Sequence, residues 1–234
     1  VRHEFAGDVA IVRCANAGFG AAAARELARR GARVVLAVPP VRRLDEEVAA
    51  IVEDGSEAIA VATDLSDPAQ VAWLVERARQ TFGRVDVLVD DLDATMSKPL
   101  LEISPDEIAT SLKLHLVGTM RLTRAVLPEM LQRGRGAIVS VRSVQGRTAS
   151  DPLASATAFG VRGFSLALRR QLAGSGVSVS LVTAARRSRP ELVGRTVADV
   201  VIRPRRETIV PATQRALVWL DDVLPGLRLL GAGT

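Results

Sequence analysis

Short apolar runs alternate along the chain with longer stretches in which apolar residues return every three or four positions. The runs at 8–12 (DVAIV), 32–38 (ARVVLAV), 57–65 (EAIAVATDL), 85–89 (VDVLV), 136–143 (GAIVSVRS), 177–182 (VSVSLV) and 207–211 (ETIVP) are dominated by valine, isoleucine and alanine. Runs of that length and make-up predict strands buried on both faces. Helical spacing covers 18–31, 42–54, 67–83, 104–134, 156–174, 190–202 and 212–224. Signals at the ends agree with the spacing. Asp67 and Pro68 open one helix and Gly83 closes it, while Ser104, Pro105, Asp106 and Glu107 open the next. Strands alternating with helices call for a parallel sheet covered on both faces, and right-handed crossovers make it doubly wound. No repeat, linker or low-complexity stretch divides the chain, so residues 1–234 are read as one α/β domain of about seven strands.

Composition narrows the chemistry. Apolar residues make up 48% of the chain, enough for a sizeable core. No segment has the uninterrupted apolar length of a membrane span, and the N-terminal stretch VRHEFAGDVAIV carries no long apolar run. A cytoplasmic protein with no membrane partner is therefore expected. The single cysteine, Cys14, leaves no internal disulfide and no cysteine cluster for a metal, and two histidines, His3 and His115, offer little to zinc. There is no tyrosine, and Lys98 and Lys113 are the only lysines. Any mechanism that needs a phenol is closed to this chain. The net charge of +5 is concentrated, because residues 184–215 hold eight arginines against three acids. A basic segment can attract nucleic acid. With aromatic residues at only 3%, however, there is little to stack on bases. The segment is read as a solvated helix face, with no nucleic-acid partner expected.

The fourth strand raises a different question, since VDVLV runs into Asp90, Asp91 and Asp93. A strand of a parallel sheet lies in the interior, where carboxylates are costly. Asp91 and Asp93 share one side of the strand and Asp90 takes the other, so the three do not converge on a metal, and none is expected. Crowded carboxylates raise one another's pKa. On that ground at least one of the three is expected to titrate above an ordinary aspartate. Replacing Asp91 and Asp93 by Ala and Gly is then expected to stabilise the fold at neutral pH.

The segments FAGDVAIV, GFGAAAARELARRGARVVLA, ATDLSDPAQV, FGRVDVLV, GTMRLTRAVLPEM, GAIVSVRSVQGR and FGVRGFSLALRRQLA follow one another over nearly the whole chain. Together they resemble the short-chain dehydrogenase/reductase family. The resemblance implies a Rossmann-like domain with a cofactor half at about 1–135 and a catalytic half at about 136–234. It also implies NAD or NADP, hydride exchange with a carbonyl or alcohol, a glycine-rich turn, an Asn-Asn-Ala-Gly strand end, and a catalytic Asn, Ser, Tyr and Lys. This chain departs at each block. Gly18 and Gly20 of the glycine turn remain, but Cys14 stands for the first glycine and Arg13 precedes it. Pro39 and Pro40 stand where an acid or base would select the ribose, and Arg42 and Arg43 are read as a solvated first helical turn. Asp64 matches the residue that holds the adenine edge. DDLD replaces Asn-Asn-Ala-Gly, and His115 replaces the catalytic asparagine. Ser143 keeps the serine, with Arg142 in place of a small neighbour, and Ala154 and Ala158 stand for the tyrosine and lysine. The substrate-covering segment that follows the sixth strand in the family is cut short in LVTAARRSRPEL.

The packing segments are well formed while every cofactor-facing and catalytic block is altered. The expectation is a fold kept without hydride transfer, serving as a non-catalytic subunit or scaffold. Gly18, Gly20 and Asp64 are then vestiges of a dinucleotide site. No cofactor is expected, and NAD(P) enters only if the altered site still binds it. A homo-oligomer, or a hetero-oligomer with an active relative, is expected through the helices at 105–131 and 154–173, where the family forms its dimer. The alternative is a cofactor-independent isomerase, lyase or cyclase in the old cleft. There His115 would be the general acid or base, Ser143 a hydrogen-bond donor and Asp91 the orienter. A residual NAD(P)-dependent oxidoreductase is the third reading.

Overall fold

Seven strands form one sheet: β1 (Val9–Arg13), β2 (Arg33–Val38), β3 (Ala58–Ala62), β4 (Val87–Leu92), β5 (Gly136–Ser143), β6 (Val177–Ala184) and β7 (Glu207–Val210). Their order is β3-β2-β1-β4-β5-β6-β7, and every neighbouring pair is parallel. The chain therefore starts at the centre, winds out to β3, returns to place β4 beside β1, and winds the other way. The helices are α1 (Phe19–Arg29), α2 (Asp45–Glu53), α3 (Pro68–Phe82), α4 (Pro105–Leu112), α5 (Gly118–Arg133), α6 (Pro152–Gln171) and α7 (Pro190–Ile202). The computed structural model describes residues 4–14, 18–40, 45–92, 98–144, 152–185 and 187–214.

Alternate residues of each central strand feed two cores, as buried parallel strands require. Ala10, Val12, Val34, Leu36, Val87, Val89, Val139 and Val141 pack with Leu27 of α1 and Val193 and Val197 of α7. Val9, Ile11, Val35, Leu88 and Ile138 pack with Leu74 of α3, Leu122 and Val126 of α5, and Leu168 of α6. Helices α1 and α7 lie unusually close. A β-carbon on Gly194 would stand 2.5 Å from the Ala22 carbonyl oxygen, so this approach needs glycine on one side and the alanine face of α1 on the other.

Three segments differ from the sequence reading. The stretch at 104–134 is not one helix, because a π-helical turn at Lys113–Val117 separates α4 from α5. Two of its carbonyl groups meet side chains. The Leu114 carbonyl accepts from Arg13 Nη2 at 3.4 Å, and the His115 carbonyl lies 2.7 Å from Thr119 Oγ1. The fourth strand extends beyond Val89 to Leu92, since β4 pairs with β5 through Asp90, Asp91 and Leu92. The helix expected at 212–224 falls mostly outside the described residues, which show a single 3-10 turn at Ala212–Gln214. The short connection after the sixth strand is present: β6 ends at Ala184 and α7 begins at Pro190. No helix among the described residues is long and apolar enough to cross a membrane.

Candidate functional site

The carboxyl ends of β1 and β4 lie side by side, with Arg13 opposite Asp90 in the register. The next position along β4, Asp91, lies opposite Val141 of β5, and Leu92 lies opposite Arg142. The helices that follow β1 and β4, α1 and α5, pack on opposite faces of the sheet, and such a switch point is where open α/β sheets bind ligands. Successive strand residues face opposite ways, so the two buried aspartates do different work.

Asp90 faces α5. Its Oδ1 accepts from Arg13 Nη1 at 3.2 Å, and its Oδ2 accepts from Arg142 Nη2 at 3.3 Å and from Thr119 Oγ1 at 2.6 Å. Arg142 Nη1 also donates to the carbonyls of Val141, at 2.8 Å, and Asp90, at 3.3 Å. Asp90, Arg13, Arg142 and Thr119 are all buried. Burial pushes the Asp90 carboxyl up, but the two guanidiniums and the Thr119 hydroxyl outweigh it and hold the group below the usual carboxylate value. At Asp90 the two cations thus outweigh the rise that crowded carboxylates would give, so this aspartate is not the one expected to titrate above the ordinary value. Asp93 lies outside the described residues.

Asp91 faces α1. Its Oδ2 accepts from the Gly20 amide at 2.6 Å, and the side chain is buried. Gly20 is the second residue of α1, whose N-cap, Gly18, has no side chain to satisfy that amide. A carboxylate from a strand 71 residues away thus does what an N-cap side chain does locally. A β-carbon on Gly20 would stand 2.8 Å from the Arg13 carbonyl and 3.0 Å from Asp91 Oδ2, so the contact requires glycine. Arg13 and Arg142 balance Asp90 and Asp91, which makes the four-residue cluster neutral. Cys14, at the foot of the turn, is fully buried. Burial first, and then the Asp91 and Glu47 carboxylates, push its thiol well above the ordinary range.

The remaining candidates lie around this switch point. Asp64 follows β3; its Oδ1 accepts from the Ser66 amide at 2.8 Å and its Oδ2 from the Ser66 hydroxyl at 2.9 Å, so it builds the turn into α3. His115 sits half-buried in the π turn, and Ser143 is the half-buried last residue of β5. Asp90 is connected to the segment bearing His115 through Thr119, and Oδ2 of Asp91 accepts from the Gly20 amide of α1. Ala154 and Ala158 are half-buried, one turn apart on α6. Arg42 and Arg43 lie outside the described residues. Sequence reasoning passed over Thr119 entirely and took Arg13 and Arg142 as separate losses. The signal was present, since two new cations and two new anions appear together at three strand ends.

A family profile described as short chain dehydrogenase matches residues 8–188. Oxidoreductase UcpA of Escherichia coli strain K12 is 32% identical over 184 residues, covering 76% of this chain and 69% of UcpA. The 3-oxoacyl-[acyl-carrier-protein] reductase FabG of the same strain is 31% identical over 183 residues, covering 76% of this chain and 73% of FabG. Among solved structures, a metagenomic short-chain oxidoreductase in complex with NADP superposes with a TM-score of 0.82 at 31% identity, over 88% of this chain and 97% of that one. L-sorbose reductase from Gluconobacter frateurii, complexed with NADPH and L-sorbose, superposes with a TM-score of 0.73 at 26% identity, over 79% of this chain and 71% of that one. These two complexes overturn the expectation that no cofactor is involved. That expectation rested on side-chain losses alone, whereas proteins 31% and 26% identical that share this fold hold NADP and NADPH.

Proposed function

The chain belongs to the short-chain dehydrogenase family, and from that premise we propose that it binds NADP(H) at the β1–β4 switch point but does not transfer hydride by the family's route. What supports binding is the end of α1. The Gly20 amide already holds an anion, the Asp91 carboxylate, at 2.6 Å, and a donor that takes a carboxylate takes a phosphate oxygen. Gly18 heads α1 at the switch point with no side chain, and Asp64 stands where an adenine edge would meet an acceptor. The residues present thus fit the diphosphate end of a dinucleotide.

The reacting end lacks its proton chemistry, and this observation carries the reading. When bound, the dinucleotide supplies or accepts a hydride. A carbonyl oxygen then needs a proton from a positioned acid whose pKa a neighbouring charge has tuned. The chain contains no tyrosine. The α6 positions that match the tyrosine and lysine carry the methyl groups of Ala154 and Ala158. Arg142, in place of a small residue beside Ser143, is spent on Asp90 and two carbonyls. The protein then acts by holding the nucleotide and by association. Exposed Val117 and Leu131 on the α5 side and Phe159 on α6 support self-association through those helices.

The test is calorimetric titration with NADPH, followed by steady-state assay of NADPH oxidation against ketones, aldoses and acyl thioesters. Saturable binding without turnover is expected. Turnover well above the spontaneous rate refutes the loss of hydride transfer, and absence of binding refutes the nucleotide site.

A further inference from the structure

Part of the basic segment lines a cavity. In a parallel sheet with helical crossovers, the last turns of α1 and α7 and the start of β7 meet at the amino-terminal edge of the strands, away from the β1–β4 switch point. A cavity of about 410 Å³ opens there, and Arg30, Arg203, Arg205 and Thr208 belong to its lining. Small-molecule sites occupy ~300–1,000 Å³. We propose that this cavity is an anion site for a small phosphate-bearing ligand, gripped by the guanidiniums of Arg203 and Arg205 at its rim and met by the Thr208 hydroxyl in its wall.

Three observations carry the proposal. Arg203 and Arg205 are exposed, and among the described residues their side chains make no ion pair or hydrogen bond. Two uncommitted guanidinium forks beside one cavity suit the oxygens of a phosphate. The carboxylates in the lining are already engaged, since Glu4 and Asp199 pair with Arg30 at 3.1 and 2.8 Å. Thr208 is buried on the α7 side of the sheet, as are Val210, two residues on, and Val182, beside it in β6; its Oγ1 has no hydrogen-bond partner. Buried hydroxyls are normally paired, and an unpaired one costs stability. A cation at the carboxyl end of α7 accounts for Arg203 alone. It leaves Arg205 and the Thr208 hydroxyl without a purpose.

The test titrates inorganic phosphate and pyrophosphate into the full chain by calorimetry at fixed ionic strength. Wild type is compared with the double variant Arg203→Gln/Arg205→Gln and with Thr208→Val, and melting curves without ligand establish that each is folded. Wild type is expected to bind both anions saturably. The double variant should bind at least about tenfold more weakly, through loss of two charge-assisted contacts. Thr208→Val should bind about threefold more weakly or worse, while its ligand-free melting temperature rises because an unpaired buried hydroxyl is gone. A purely structural hydroxyl would instead give a lower melting temperature and unchanged binding. Absence of saturable binding in wild type overturns the site. Undiminished binding in the double variant puts the anion elsewhere and overturns it as well. If the double variant loses binding and Thr208→Val keeps it in full, the arginines act as an open patch and the cavity is overturned.

Discussion

Removing Asp90 is the sharpest perturbation of the core of this site. Asp90→Ala leaves the Arg13 and Arg142 guanidiniums buried on one face of the sheet with the carboxylate between them gone. Breaking a buried pair by deleting one partner costs about 3–5 kcal/mol, because the remaining charge is neither hydrated nor balanced. Here two cations are stranded, which argues for the upper part of that range. The two ion-pair contacts are 3.2 and 3.3 Å, longer than a strong charge-assisted hydrogen bond, which argues for the lower part. The expected loss is about 3–4 kcal/mol, a large share of the ~5–15 kcal/mol that holds a domain folded. For a chain of this size it corresponds to a fall in Tm of about 6–15 °C. Urea unfolding followed by far-ultraviolet circular dichroism measures it. Removing the three charges of that face together, with Arg13→Thr and Arg142→Ser added to Asp90→Asn, strands no cation and should recover most of the loss, so the substitutions are strongly non-additive. An Asp90→Ala protein within about 1 kcal/mol of wild type would show that the network contributes no more than a surface pair. The same carboxylate predicts a pH profile. Folding holds Asp90 below its ordinary value of 3.8, so its contribution is fully present above that value and is lost as pH falls through the lower folded pKa. Wild type should therefore weaken faster than Asp90→Asn below about pH 4.

Other outcomes follow from the same geometry. Asp91→Ala should lower stability at neutral pH by about 1 kcal/mol through loss of the α1 cap, opposite in sign to what crowded carboxylates alone would give; a melting curve decides. Gly20→Ala places a β-carbon 2.8 Å from the Arg13 carbonyl, and should cost about 1–3 kcal/mol in urea unfolding. Cys14, fully buried with its thiol pushed up by burial, should react with a maleimide only at the rate of unfolding; rapid labelling of folded protein would contradict its placement. Self-association through α5 and α6 should give a dimer in light scattering that Phe159→Glu dissociates.

The fold was legible because it rests on local pattern. The strand runs and helix spacing carry the alternation, and Asp67, Pro68 and Gly83 bound α3 as expected. Alanine at 154 and 158 was equally legible, being a matter of residue type alone. The site was harder to read because its partners are remote in sequence. Asp90 is 77 residues from Arg13, 52 from Arg142 and 29 from Thr119. Without the β1–β4–β5 register, each charged replacement looks like an isolated loss. The boundary of β4 was misplaced for the same reason. Charges end an apolar run in sequence, whereas in the sheet Arg13, Arg142 and the α1 amide let the strand continue through Asp90 and Asp91. The π turn at His115 adds no apolar or polar signature to a helical pattern, so nothing in the spacing announces it.

The central claim is that this chain holds a nicotinamide dinucleotide without exchanging hydride. A single-turnover experiment tests it most directly. NADPH is mixed with an excess of protein so that all of it is bound, carbonyl substrates are added, and the dihydronicotinamide absorbance is followed to the end of spontaneous decay. The account predicts a nucleotide that stays bound and reduced, decaying no faster than in buffer. Stoichiometric oxidation of the bound NADPH with formation of an alcohol would contradict it.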